Sequence, residues 1–129
     1  MIRYLSVEQV LSVHQSLVGH LRADPGIRDL RALEMAVARP SQTFDGEDLN
    51  LTLESKAAAL LLGLLTTGPF ADAVRETAWL ATEVFLNANG ATLRADERDI
   101  ERMVEAAAGG EMTQESLSIW FRQRAGIAR

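Results

Sequence analysis

The side chains able to do chemistry gather in one short run. Gly68-Pro69-Phe70-Ala71-Asp72-Ala73-Val74-Arg75-Glu76 follows a helix-breaking pair and leads into a new helix. The free backbone N–H groups and positive dipole end of such a helix attract anions. Arg75 could grip a phosphate with its guanidinium fork, or stand in water as an ordinary surface cation. Glu76 puts a carboxylate in the same turn. At an effective dielectric of about 20, two like charges about 4 Å apart repel by roughly 4 kcal/mol, enough to weaken anion binding about a thousandfold. Asp72 stands where an aspartate would cap the helix, a role that needs no ligand. The chain has two histidines. His14, in the middle of an apolar stripe, reads as a satisfied core residue, and His20, off that stripe, as an exposed one. With no cysteine, a disulfide framework, a thiolate metal site and a thiol nucleophile are all excluded, and the cytosol is the expected compartment.

These residues sit in a chain of 129 residues, 47% hydrophobic, enough for one substantial core and too little for two ordinary domains. A single domain over residues 1–129 is expected. The net charge of -5 and pI near 5.0 lack the clustered Lys and Arg of a nucleic-acid binder. The longest apolar stretch, Ala57 to Leu65, is too short to span a bilayer, and no secretory leader is visible. Neither nucleic acid nor membrane is an expected partner.

The positioning elements read as helices. Ser6 with Gln9 resembles a capping box, and Val7, Val10, Leu11, His14, Leu17, Val18 and Leu21 share one face of a helix over about 6–22. Asp24-Pro25-Gly26 stops it. Asp29 can cap a short second helix ending near Pro40. From Ser41 to Thr52 the Asp45-Gly46 pair predicts a small hairpin. Leu53 to about Thr66 predicts a helix buried on most sides. Phe70, Ala73, Val74, Thr77, Leu80, Ala81, Val84 and Phe85 trace a stripe on the next, closed by Asn89-Gly90. Another helix runs from near Asp96 to Gly109-Gly110, its charged run from Arg94 to Glu101 read as a solvated face. The last opens at Thr113 and carries Leu117, Trp120 and Phe121 before Arg122, Arg124 and Arg129. The fold class expected is all-α, a bundle of about six helices with a short β-hairpin flap.

The run from Gly68 to Glu76 resembles the signature loop of the Fic/Doc family, His-x-Phe-x-Asp/Asn-Ala/Gly-Asn-Lys/Gly-Arg. The frame of Phe70, Asp72 and Ala73 is kept, while Gly68 replaces His, Val74 replaces Asn and Glu76 replaces Arg. The likeness extends along the chain in order, and it points to the death-on-curing branch. It takes in Tyr4-Leu5-Ser6 with His14, Gly26 to Asp29, Leu33 to Ala36, Arg39-Pro40, Thr43-Phe44, Glu54 to Ala58, Phe85-Leu86 with Asn89-Gly90, and Gly110-Glu111.

That resemblance implies a toxin fold that binds a nucleotide at the start of the motif helix and transfers part of it to a hydroxyl of a target protein. The transferred group is AMP in most Fic enzymes. In the death-on-curing branch it is the terminal phosphate of ATP, passed to elongation factor Tu, and a small antitoxin restrains the enzyme. It implies nucleotide contacts from positions 72, 74, 75 and 76, with Asp72 as the cation holder. It also implies target docking by the flap of Thr43, Phe44, Asp45, Gly46, Glu47, Asp48 and Leu49. Departures from the pattern put the chemistry in doubt. Gly68 cannot act as the general base that histidine supplies, Val74 cannot make the amide's polar contacts, and Glu76 reverses the clamp.

The expected function is thus a catalytically silent toxin relative, a pseudoenzyme acting through an antitoxin-like protein or a target segment, with no cofactor. The competing reading is an active ATP-dependent phosphotransferase or AMP transferase that uses Mg²⁺ at Asp72 and phosphate contacts from Arg75. A purely structural helical protein, suggested only by Trp120-Phe121, is a weaker third.

Overall fold

Helix caps written in the sequence set the element boundaries. The computed structural model describes residues 1–127. Ser6 accepts from the Gln9 amide while the Gln9 side chain accepts from the Ser6 amide, opening α1 (Val7–Leu21). Asp29 caps α2 (Leu30–Ala38), which continues as a 3-10 turn over Arg39–Ser41. A hairpin of β1 (Thr43–Phe44) and β2 (Glu47–Asp48) turns through Asp45 and Gly46, both at positive φ. Then follow α3 (Leu53–Thr67), α4 (Val74–Ala88), β3 (Ala91–Leu93), α5 (Glu97–Ala108), α6 (Gln114–Arg124) and β4 (Ala125–Ile127). Predominantly helical, with six α-helices among the described residues, the fold matches the class expected.

The central element is α3, which packs against α2, α4, α5 and α6. Ala57, Ala58, Ala59, Leu60, Leu61 and Leu64 are all buried, as a helix apolar on most sides requires. The approach of α2 and the 3-10 turn leaves little room beside Gly63. A Cβ there would meet Arg39 Cδ at 3.1 Å and the Ala36 backbone at 3.4 Å.

Some expectations need correction. Phe70 lies in the loop before α4 rather than on it, and Val84 and Leu21 face solvent at the ends of their stripes. Phe121 is core and Trp120 half-buried. The antiparallel pairing of β3 with β4, which clips α6 back beside the end of α4, was not anticipated. Arg129 lies outside the described residues. None of the described helices is long and apolar enough to cross a membrane.

Candidate functional site

The motif run forms a loop between α3 and α4, strapped from outside by the segment that joins α1 to α2. Ile27 and Phe70 form an antiparallel bridge. The amides of Arg28 and Asp29 both donate to the Pro69 carbonyl, at 2.8 and 3.1 Å, and the Ala71 amide donates to the Gly26 carbonyl at 2.9 Å. Phe70 is buried and stacks on His14, ring centroids 3.9 Å apart at an interplanar angle of 10°. His14 Nε2 donates to the Asp72 carbonyl at 3.0 Å, so this nitrogen carries a proton, because a carbonyl can only accept. The reading of His14 as a satisfied core residue holds, and His20 is exposed as expected. Yet His14 is not remote from the loop. It is packed against it, across 58 positions of sequence.

Gly68 closes α3 in the left-handed conformation, φ +52°. The end of the exposed Arg28 side chain lies beside it. Arg28 Nη2 donates to the Gly68 carbonyl at 2.7 Å and would stand 2.7 Å from a Cβ at that position.

Asp72 does not cap α4, contrary to the sequence reading. The N-cap is Ala73, held at φ +59° with no side-chain cap. The Asp72 carboxylate instead accepts from the Ala73 amide at 2.8 Å through Oδ1 and from the Asp24 amide at 3.3 Å through Oδ2. It thus pins an alanine in a conformation that costs an L residue about 1 kcal/mol or more, and ties loop to loop. Its oxygens are turned to the adjacent amide and to the α1–α2 connection rather than to the first-turn amides of α4. Among the described residues, no three His, Asp or Glu side chains converge where a metal ion could sit.

In the first turn of α4, Val74 is half-buried and packs toward the core, whereas Arg75 and Glu76 are exposed. The first intrahelical bond runs from the Thr77 amide to the Ala73 carbonyl, so three amides before it lack a partner within the helix. Glu76 is the acid the dipole favours in that turn. Thr77 Oγ1 is buried with no hydrogen-bond partner among the described residues.

Among the described residues, no hydrogen bond joins the flap to this loop. Residues 43–49 are all exposed, Phe44 at 70% and Leu49 at 59%. Lys56, the single lysine, is buried beneath the flap's end, its Nζ donating to Asp48 Oδ2 at 3.2 Å and to the Asn50 carbonyl. Asn50 in turn donates to the Arg39 carbonyl at 2.9 Å. Lys56 stands in the first turn of α3 and Gly68 at its end, which separates flap anchor and motif loop by about 18 Å along the helix axis.

A cleft of about 420 Å³ opens between α4 and α5, lined by Arg75, Glu76, Trp79, Ile100, Glu101, Val104 and Glu105. It brings Arg75 and Glu76 together with Val104 and Glu105 and with Ile100 and Glu101, the last two from the run expected to be a solvated face. The signal was present in the repeat of Ile100-Glu101 at Val104-Glu105, which puts two pairs on one side of the helix. Trp79, absent from the predicted stripe, is stacked on Phe121 and edge-on to Trp120, each with centroids 6.3 Å apart.

Residues 4–86 match the Fic/DOC family. The chain is 39% identical over 102 residues to a protein of Mycolicibacterium smegmatis named Toxin Doc, covering 79% of this chain and 75% of that one. With the match spanning most of the sequence and the motif loop held between α3 and α4, the chain belongs to the Fic/DOC family, in its death-on-curing branch.

Proposed function

We propose that this protein is a death-on-curing relative that no longer transfers phosphate or nucleotide and acts by binding another protein, a small antitoxin-like partner or a target segment. The observation that carries this reading is at Gly68. The family's general base would act from that position, which has no side chain and is held at a positive φ that side chains rarely adopt. Glu76 supports it by placing a carboxylate where an anion-binding clamp would be needed. Asp72 holds two backbone amides, a structural role that needs no ligand. The active reading retains Asp72 and Arg75 as its means, with ATP and Mg²⁺ as cofactors.

Purified protein incubated with elongation factor Tu, Mg²⁺ and ATP labelled in the α or γ phosphate tests the proposal. No incorporation above the enzyme-free control is expected. Transfer that disappears in an Asp72→Ala variant would establish the active enzyme instead. Coexpression with the product of a neighbouring small gene is expected to give a complex that copurifies.

A further inference from the structure

We propose that the cleft between α4 and α5 is a docking groove for a basic amphipathic segment of a partner protein. This rests on the protein-binding reading above and names the chemistry of the partner.

The walls of the cleft are acidic. Glu76 comes from the first turn of α4, and Glu101 and Glu105, four residues apart, from one side of α5. Among the described residues, Arg75 is the one cation in the lining. All four of these side chains are exposed at the rim. Among the described residues, no cation lies within ion-pair distance of the three glutamates. The chain as a whole carries -5, so the wider field has the same sign as the groove. Phosphates are repelled, while lysine and arginine are drawn in and steered.

The floor separates a peptide from a small free cation. Trp79, Ile100 and Val104 form an apolar strip, and Trp79 is fixed from behind by its stacking on Phe121. The alkyl stems of lysine and arginine, or an intervening leucine, cover such a strip while the charged heads reach the glutamates. A guanidinium can also lie on the Trp79 face. A free polyamine satisfies the rim and leaves the floor uncovered. A trough between two helices, of the volume found here, suits the apolar face of a segment laid along it.

The full chain would be titrated with a synthetic helical peptide bearing arginine on one face and leucine on the other. Tryptophan fluorescence would be read in a Trp120→Phe background, so that Trp79 is the reporter. Saturable binding is expected, weakened by salt and by about tenfold when Glu101 and Glu105 both become Gln. The same peptide with glutamate for arginine should not bind. Unchanged binding by the Glu101→Gln, Glu105→Gln chain, equal binding of the acidic peptide, or tighter binding of Mg-ATP would each overturn the groove. Tighter, glutamate-dependent binding of spermine would overturn it in favour of a free polyamine. Thermal melts of the variants control for folding, with the glutamates at exposed rim positions and the half-buried Trp120→Phe change common to every chain compared. The transfer assay above decides the parent reading separately. A partner that copurifies equally well with the double Gln variant would leave that reading standing and remove the groove.

Discussion

Position 68 illustrates how far a single residue reaches. Glycine tolerates φ +52° at little cost, whereas an L side chain pays about 1 kcal/mol or more there. A new Cβ also stands 2.7 Å from Arg28 Nη2, so the guanidinium must withdraw and give up its hydrogen bond to the Gly68 carbonyl. Gly68→His is therefore expected to lower stability by about 1–2 kcal/mol, a fall in Tm of roughly 5 °C, with no gain of ATP-dependent transfer. Adding Arg28→Ala relieves the crowding and leaves the backbone strain, so the double variant should be less destabilised than the sum of the singles. Recovery of transfer by Gly68→His alone would mean that the base was the one missing part. The departures at Gly68, Val74 and Glu76 were legible in the sequence because each is a difference of residue type at a motif position. The Arg28 contact was not legible, since 40 residues separate the partners and nothing local marks arginine for that carbonyl.

Among the elements, the flap depends on one buried cation. Lys56 has a side chain only 2% exposed and holds Asp48 and the Asn50 carbonyl from the first turn of α3. Lys56→Met keeps the stem and removes the donors. Asp48, 47% exposed, can rehydrate, but the Asn50 carbonyl loses its buried partner. A loss of about 2 kcal/mol is expected. Hydrogen exchange should speed at the Leu49 amide, bonded to the Gln42 carbonyl, while the Ala71 amide in the motif loop keeps its protection. Equal acceleration at both amides would show that flap and loop open together, against their anchorage at opposite ends of α3. The hairpin was readable because Asp45-Gly46 can take positive φ at both turn positions. The pairing of β3 with β4 was not. Each strand has three residues, no turn pair marks them, and α5 and α6 intervene in sequence. The acidic groove was half readable, from the α5 repeat, but its other wall depends on how α4 packs.

At the scale of the molecule, the motif loop is built into the core rather than laid over it. Phe70 is buried against His14, His14 Nε2 holds the Asp72 carbonyl, and the bridge from Ile27 ties the loop to the α1–α2 connection. Helical periodicity placed His14 on an apolar face; only the packed fold shows that this face meets the loop. Removing the ring therefore empties a space shared by α1, the loop and the start of α4, and leaves the Asp72 carbonyl without its donor. His14→Ala is expected to cost about 3 kcal/mol, lowering Tm by roughly 10 °C. If the loop belongs to the cooperative unit, unfolding stays two-state, with helix content and tryptophan fluorescence falling together. The alternative is a loop that frays by itself, with rapid exchange at the Ala71 amide and a global Tm unchanged from the parent. The stack on Phe70 favours the first outcome, because the same ring that packs the core also positions the loop.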